Sequence, residues 1–367
     1  MEGAVVADSS LCFIDGQKGQ LVYRGYDIHD LAGRVSFEET AWLLWNEDLP
    51  TRSQLQELKQ ELGRHRALPG PVLDLLRVLP DRAGSMETLR SAISLLATLD
   101  PEAGDMTPAA NRNKAARLTA AMPTILAAAV RRRNGEEPVD PDADLGHAAN
   151  FLWMLNGRRP SETAAQALDM ALVLHAEHGF NASTFSARVT AATLSDLHSA
   201  VISAISTLKG PLHGGANREV METLETMGSL ENVAAAVRDK LSRREKIMGF
   251  GHRVYKTMDP RAVHLKKMAR DLGHDAGDST WYDMSALMEE TVMAEKGLYP
   301  NVDFYSAAAY RSLGIPAESY PAVFACSRIS GWTAHIMEQY AHNRLIRPRA
   351  RYTGPMNRTV RPLSERG

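Results

Sequence analysis

Hydrophobic residues recur along most of this chain with the spacing of one face of an α-helix. The segments 37–47 and 53–65 each carry one apolar stripe, which is typical of a helix packed on a core. The alanine-rich segment 113–133 is apolar on nearly every face and predicts a buried helix, while 321–343 predicts one further long helix. The same period predicts helices at 161–178, 195–208, 217–227 and 302–313.

One stretch near the start of the chain has a different pattern. Residues 11–25 read LCFIDGQKGQLVYRG, with two short apolar runs on either side of a glycine-containing turn, which predicts a β-hairpin. Strand patterns are nearly absent elsewhere, and the sequence has no internal repeat. The predicted fold class is therefore all-α with a small N-terminal β-hairpin.

Composition narrows the class of protein further. The chain has 367 residues, 44% of them hydrophobic, which suffices for a large core and suggests two domains. The net charge of −2 gives no overall field for nucleic acid or an acidic membrane, so an anion site must be a local cluster of cations. Cys12 and Cys326 form neither a disulfide framework nor a CxxC metal motif. Without a secretory signal or a membrane-length apolar run, we expect a cytoplasmic protein with no nucleic-acid or membrane partner.

The connection 249–261, GFGHRVYKTMDPR, places one histidine and three cations in a short segment of a nearly neutral protein. It has neither the phosphate-loop pattern nor the dinucleotide-binding glycine pattern. Asp259 is predicted to cap a helix that begins at Pro260 and ends at Gly273. Arg261 then lies at a helix N-terminus, where a cation is unfavourable unless an anion is nearby. The segment indicates an anion site, although a solvated basic loop is the simpler alternative.

Further histidines lie in or beside predicted loops. His213 stands in GPLHGGAN, where two glycines allow the backbone to pass close to a ligand. An ordinary turn between helices explains these glycines but not the histidine. His175 and His178 lie three residues apart in HAEHGFNAST, which suits either a zinc pair or a buried histidine at a helix end. No third ligand with matching spacing is evident, so the sequence favours no metal.

A carboxylate and several arginines complete the candidate chemistry. Asp303 follows Asn301 at a predicted helix start, where an aspartate is also a common N-cap. Arg328 shares one face of the last long helix with Trp332, and Arg347 follows that helix. Histidines and one carboxylate suit proton transfer, and arginines suit bidentate binding of carboxylates. The set indicates enol chemistry on a di- or tricarboxylate, without a metal and without a covalent nucleophile.

Four separated motifs occur in an order that resembles citrate synthase. They are GPLHGGAN at 210–217, GFGHRVYKTMDPR at 249–261, NVDFYS at 301–306 and an ending that contains ISGWTAHIMEQ and RPRARYTGP. The segments FIDGQKGQLVYRGYDI and HAEHGFNASTFSARV are similar to the shorter bacterial and archaeal branch of that family. The resemblance covers essentially the whole chain.

This resemblance implies an all-helical homodimer whose subunits have two domains. The large domain would combine 1–209 with 321–367, and the smaller domain, 210–320, would close over the cleft. The implied reaction is a Claisen-type condensation of acetyl-CoA with oxaloacetate, followed by hydrolysis of citryl-CoA to citrate and CoA. No metal and no tightly bound cofactor is implied, because acetyl-CoA acts as a co-substrate.

The resemblance also implies roles for individual residues. Asp303 resembles the base that removes a methyl proton from acetyl-CoA, His213 the donor to the thioester carbonyl, and His252 the acid that protonates the oxaloacetate carbonyl. The implied oxaloacetate ligands are His178, Arg261, Arg328 and Arg347, the last of them reaching the site of the partner subunit. The implied CoA contacts are Gly249, Phe250, Gly251, Lys256, Lys296 and Asn301. Arg253 receives no role.

Three alternatives remain open at this point. The first is a 2-methylcitrate synthase, which shares these motifs, including FNAST, and uses propionyl-CoA, or a bifunctional enzyme that uses both acyl-CoAs. The RPRARYTGP ending favours citrate synthase. A helical binding protein without activity is the second alternative, and intact His213, His252 and Asp303 argue against it. A metal-dependent lyase that uses His175 and His178 is the third.

Overall fold

The computed structural model describes residues 5–80 and 82–366 of the chain. The strands are β1 (Cys12–Asp15), β2 (Gln20–Tyr23) and β3 (Tyr26–Asp27). The helices are α1 (Ile28–Leu31), α2 (Phe37–Asn46), α3 (Arg52–Arg64), α4 (Gly70–Val78), α5 (Ser85–Leu99), α6 (Pro108–Arg133), α7 (His147–Asn156), α8 (Glu162–His175), α9 (Ala182–Ala191), α10 (Leu197–Leu208), α11 (Ala216–Met227), α12 (Leu230–Ser242), α13 (Ala262–Ala276), α14 (Thr280–Lys296), α15 (Val302–Ser312) and α16 (Tyr320–Ala341). Short 3-10 turns occur at Ala317–Ser319 and Leu363–Glu365.

The predicted hairpin and the predicted all-α class are both confirmed. β1 and β2 pair antiparallel, with Cys12 opposite Tyr23 and Asp15 opposite Gln20, and β3 adds a two-residue strand beside β2. Leu21 and Tyr23 point into the core, because alternate side chains of a strand share one face. The hairpin therefore covers one side of a helical core rather than forming a sheet of its own.

Capping side chains explain where several helices begin. α2 and α3 open with capping boxes, in which Ser36 pairs with Glu39 and Thr51 with Gln54. α6 begins at Pro108 rather than at residue 113, because Thr107 caps it and proline is accepted in the first helical turn. The helical period thus located these three helices, while local caps set where they begin.

The long helix α16 runs through the middle of the core. It packs against α6, α9 and α10, and its side chains are buried from Tyr320 to Ile336. Its polar face is buried as well, including Arg328, His335 and Gln339. These groups must find partners inside the protein, because a buried polar group without a hydrogen bond is costly.

Helices α11 to α15 pack mainly on one another. α13 and α11 both pack on α15, and α12 packs on α14. They meet the rest of the chain through α8, which contacts α13 and α15, and through α16, which contacts α11. The division into domains at residues 210 and 320 stays a prediction. Within residues 5–80 and 82–366, no helix combines the length and the apolar character that a membrane span requires.

Candidate active site

The turn after α8 places His178 beside the 249–261 loop. α8 ends at His175, so His178 lies three residues beyond the helix rather than at its end, as the sequence had suggested. His175 is fully buried and bonds the carbonyl oxygen of Ala171 through Nδ1 at 2.7 Å. Burial lowers the pKa of His175 to about 3. His175 is therefore a buried histidine at a helix end, as the simpler alternative held.

His178 contacts the 249–261 loop directly. Its Nε2 lies 3.1 Å from the hydroxyl of Tyr255, and its ring centroid lies 5.4 Å from that of His252. Burial, followed by the charges of Arg261 and Arg328, holds the pKa of His178 well below its usual value. His178 is therefore a neutral ring beside two cations. In the part of the chain that the structure describes, no three His, Cys, Asp or Glu side chains are grouped to hold a metal ion.

His213 lies in the turn between α10 and α11, and Ser183 determines which of its nitrogens carries the proton. The backbone N–H of Ser183 donates to Nε2 of His213 at 3.2 Å, and the serine hydroxyl lies 2.9 Å from the same nitrogen. Because a backbone amide can only donate, Nε2 is the acceptor and the proton resides on Nδ1. Burial and the charge of Arg328 lower the pKa of His213 to about 4, so the ring is neutral at pH 7. His213 thus offers one N–H donor.

The backbone fixes the opposite tautomer in His252. Its Nδ1 accepts hydrogen bonds from the amides of Val254, at 3.0 Å, and Tyr255, at 3.2 Å. The proton of the neutral ring therefore resides on Nε2. Burial, followed by the charge of Arg261, lowers the pKa of His252 to about 4. His252 is a second neutral N–H donor at pH 7.

The glycine turn that precedes His252 is joined to the start of α15. The amide of Gly251 donates to the carbonyl of Tyr299 at 2.9 Å, and that of Asn301 to the carbonyl of Gly249 at 2.8 Å. The side chain of Asn301 also donates to the carbonyl of Gly251 at 2.9 Å. Gly249 has a φ of 84°, and a Cβ there would lie 2.8 Å from the side chains of Phe304 and Val220. These hydrogen bonds hold the glycine turn against the start of α15, although the two segments lie about 50 residues apart in the chain.

Asn301, and not Asp303, caps α15. The side-chain oxygen of Asn301 accepts the amide of Asp303 at 3.0 Å, so the alternative that Asp303 serves as the N-cap is wrong. The Asp303 carboxylate takes no hydrogen bond from any residue that the structure describes. Burial raises its pKa to about 6, although the charges of Arg261 and Arg328 oppose that rise. The result is an unpaired carboxylate that can act as a base near neutral pH.

Arg261 is held by its own neighbour. The predicted cap at Asp259 is wrong, because α13 begins at Ala262 and the Asp259 carboxylate instead accepts from the Arg261 amide at 3.1 Å. The same carboxylate accepts Nε of Arg261 at 2.9 Å and Nη2 at 2.7 Å, and it also accepts the amide of Val302. Burial acts to raise the pKa of Asp259, but Arg261 outweighs it and the carboxyl stays ionised. One terminal nitrogen of Arg261, Nη1, makes no hydrogen bond within the described residues.

Arg328 is a buried cation without a carboxylate partner. Its side chain is only 2% exposed, its Nε donates to the carbonyl of His175 at 2.6 Å, and its guanidinium lies 4.6 Å from the ring centre of Phe324. No ion pair with a described residue neutralises it. A buried charge of this kind is costly unless an anion accompanies it. Arg328 and the free nitrogen of Arg261 therefore form the anion-binding part of the site.

The remaining predicted site residues lie outside this group. Lys256, Arg253 and Lys296 are exposed, and the Lys256 ammonium donates to the carbonyl of Arg253 at 3.3 Å. Phe250 packs against Phe304, with ring centres 4.5 Å apart. Arg347 is exposed in the extended segment after α16, where it lines a groove. The structure places His178, His252 and Asp303 within electrostatic reach of Arg261, and His178, His213 and Asp303 within that of Arg328.

Three further residues support the site, and the sequence analysis did not identify them. Ser183 holds His213, and its hydroxyl also accepts the indole N–H of Trp332 at 3.1 Å. Tyr255 contacts His178, and buried Glu177 joins the His178 turn to α16 through His335 at 3.0 Å. Ser183 and Tyr255 do lie in the segments that resemble citrate synthase. No pattern of spacing, however, shows which histidine either residue faces.

Comparison with known proteins agrees with this geometry. The family model described as citrate synthase, C-terminal domain, matches residues 1–349. A citrate synthase of Haloferax volcanii is 53% identical over 100% of this chain and 98% of its own length. The chain belongs to the citrate synthase family. It is thus an enzyme of the acyl-transferring type that this family represents.

Two further members of the family bear on substrates. A solved citrate synthase of Thermoplasma acidophilum, in a ternary complex with carboxymethyl coenzyme A and oxaloacetate, has a TM-score of 0.91 and 33% identity over 100% of this chain and 98% of that one. A 2-methylcitrate synthase of Mycobacterium tuberculosis is 43% identical over 98% of this chain and 91% of its own length. Relatives named citrate synthase and relatives named 2-methylcitrate synthase are thus both similar to this chain at more than 40% identity.

Proposed function

We propose that this enzyme condenses acetyl-CoA with oxaloacetate and hydrolyses the resulting citryl-CoA to citrate and CoA. The observation that carries the proposal is the arrangement of protons in the site. Asp303 is an unpaired base with a pKa of about 6, and His213 and His252 are neutral donors whose tautomers are set by backbone amides. The two buried arginines, Arg261 and Arg328, supply positive charge for a dicarboxylate.

The first step is removal of a proton from the methyl group of acetyl-CoA. Asp303 accepts that proton, and its raised pKa makes it a stronger base than an ordinary carboxylate while it remains mostly ionised at pH 7. Nδ1–H of His213 donates to the thioester oxygen, where negative charge develops as the enol forms. A neutral donor of this kind stabilises the oxygen without requiring a metal.

The second step forms the carbon–carbon bond. The enol carbon attacks the ketone carbon of oxaloacetate, and the ketone oxygen takes a proton from Nε2 of His252. The thioester C=O re-forms at the same time, and the enol proton returns to Nδ1 of His213. Water then adds to the thioester of citryl-CoA and the carbon–sulfur bond breaks. Of the proton held by Asp303 and the two protons of water, one restores His252, one leaves on the CoA sulfur and one is released with the citrate carboxylate. A positioned acid or base contributes about 10²–10⁴-fold to such steps.

We assign oxaloacetate binding to the side of the site that contains Arg261 and Arg328. Arg328 and Arg261 suit bidentate pairing with carboxylates, and His178 lies beside them as a neutral polar ligand. Two observations support this assignment: Arg328 is buried without a counter-ion, and Arg261 keeps one terminal nitrogen free of protein partners among the described residues. From the resemblance we assign Arg347 to the site of the partner subunit in a homodimer, and its exposure in the segment after α16 is compatible with that reach.

CoA is assigned to the outer side of the glycine turn. Phe250 is the residue of this turn whose backbone polar groups are not used in holding it to α15, and Gly249 and Gly251 would shape the contact. The exposed ammonium groups of Lys256 and Lys296 would face the phosphates of CoA. The Asn301 side chain would support CoA binding indirectly. Its amide group already bonds the glycine turn, and its oxygen already bonds the start of α15. Helices α11 to α15, which pack mainly on one another, are assigned to a domain of residues 210–320 that closes over the substrates.

Steady-state kinetics with acetyl-CoA and propionyl-CoA, each with oxaloacetate, test this proposal. Free thiol and the tricarboxylate product are measured in parallel. We expect a higher kcat/KM for acetyl-CoA, because the Haloferax citrate synthase is 53% identical and the 2-methylcitrate synthase 43%. A higher kcat/KM for propionyl-CoA would assign the enzyme to 2-methylcitrate synthesis instead. Absence of thiol release with either substrate would contradict both activities.

A further inference from the structure

Tyr255 forms a three-ring cluster with two histidines of the site. Its side chain is 2% exposed, and its hydroxyl lies 3.1 Å from Nε2 of His178. Its ring centre lies 5.6 Å from that of His178 and 4.7 Å from that of His252. The tyrosine thus contacts one residue assigned to oxaloacetate binding and one assigned to proton donation.

The backbone around Tyr255 is held on both sides. Its own amide donates to Nδ1 of His252, and the amide of Lys256 donates to the carbonyl of Gly16 in the hairpin turn at 2.8 Å. A Cβ at Gly16 would lie 2.2 Å from the carbonyl oxygen of Val254, so the loop and the hairpin are in close contact. The backbone that carries the tyrosine ring is therefore anchored both to His252 and to the hairpin turn.

The direction of that hydrogen bond follows from the two groups. Burial raises the pKa of the Tyr255 phenol, which therefore keeps its proton. His178 is neutral and has one nitrogen lone pair to offer. No other described residue accepts the phenol proton, and an unused buried O–H is costly. The phenol therefore donates to Nε2, and the proton of His178 resides on Nδ1.

We propose that Tyr255 is a positioning residue for oxaloacetate. Its hydroxyl selects the Nδ1–H tautomer of His178 and holds the ring so that this N–H faces a carboxylate or carbonyl oxygen of the substrate. This inference rests on the proposed function, since it takes oxaloacetate as the ligand of His178. It adds a role for a residue whose hydroxyl acts through His178.

The substitution Tyr255→Phe tests this role, because it removes one oxygen and leaves the ring packing intact. We expect the KM for oxaloacetate to rise about tenfold, as for the loss of one buried hydrogen bond. The KM for acetyl-CoA and kcat should change less than about threefold. Tyr320→Phe is the matched control, since it removes an equally buried hydroxyl that donates to the carbonyl of Ala307 at 3.1 Å. An unchanged or lower KM for oxaloacetate in Tyr255→Phe would overturn the proposal.

A double-mutant cycle locates the effect on His178. If Tyr255 acts through His178, Tyr255→Phe adds no further rise in KM to that of His178→Gln. Additive effects would show that the hydroxyl acts elsewhere and would refute the role.

Nitrogen-15 NMR of the histidine rings gives a test independent of turnover. The His178 signal, identified by its loss in His178→Gln, should report Nδ1–H in the wild type and a tautomer mixture in Tyr255→Phe. The same His178 tautomer in both proteins would contradict the role proposed for Tyr255. Failure of the wild type to make citrate would refute the proposed function instead, and the NMR result would still decide the role of Tyr255.

Discussion

Ionised Asp303 should lower the free energy of unfolding while it supplies the catalytic base. Asp303→Asn should therefore raise the stability of the protein and lower its activity. Asp303 is half-buried, and desolvation of its carboxyl raises the pKa in the folded state to about 6, above the ordinary value of 3.8. Each pKa unit corresponds to about 1.4 kcal/mol, so ionised Asp303 destabilises the fold by about 3 kcal/mol. An uncharged asparagine of the same shape removes that penalty and removes the base.

The pH dependence of this penalty has a definite sign. The folded protein binds the Asp303 proton more tightly than the unfolded chain does. Proton binding therefore adds to the free energy of unfolding, and this contribution is fully present below about pH 4. That stability is lost as the pH rises through about 6. Asp303→Asn should therefore be more stable than the wild type at pH 7.5, and the difference should shrink towards pH 4.5. Activity of the wild type should fall as the pH drops below about 6, because the base becomes protonated.

Two assays on the same protein samples check this prediction. Thermal unfolding at pH 7.5 should show a rise in Tm of a few degrees, since 1 kcal/mol corresponds to about 2 °C or less in a chain of this length. Turnover should fall by about 10²–10⁴-fold. Asp74→Asn is the matched control, because Asp74 is exposed in a surface ion pair with Arg77 and should change neither quantity. Turnover within tenfold of the wild type would show that Asp303 is not the base, and a pH-independent Tm difference would refute the burial argument.

The other predictions concern substrate binding, the glycine turn and the dimer. Arg328→Met should raise the KM for oxaloacetate by more than tenfold while leaving the fold at least as stable, because it removes a buried cation that lacks an ion pair; an unchanged KM would remove Arg328 from the site. Gly249→Ala should lower kcat/KM by tenfold or more, since φ is 84° and the new Cβ meets Phe304 at 2.8 Å; normal activity would show that the turn can shift without consequence. The Arg347→Ala and Asp303→Asn proteins should each be inactive alone. If Arg347 serves the partner subunit, mixed dimers of the two variants should regain activity, because one of their two sites is intact. Mixed dimers that stay inactive would place Arg347 in the site of its own subunit.

The ends of the elements show where sequence patterns stop being sufficient. α8 was expected to reach His178 but ends at His175, since the following turn is held by Glu177 through α16. Asp259 looked like a helix cap, yet its carboxylate bonds Arg261 and the amide of Val302 in another helix. In each case a partner distant in the chain competes with the local preference. Short-range patterns contain no information about such partners.

By itself, the sequence determined the helical class, the hairpin, the identity of the reactive side chains and the resemblance to citrate synthase. Helical period and hairpin signals are local properties, and motifs such as GFGHRVYKTMDPR can be read directly. Only the tertiary structure decided the chemical state of those side chains. Burial raised the pKa of Asp303, and backbone amides from separate segments put the proton of His213 on Nδ1 and that of His252 on Nε2. Proton positions depend on burial and on neighbours in space, and both exist only once the chain has folded.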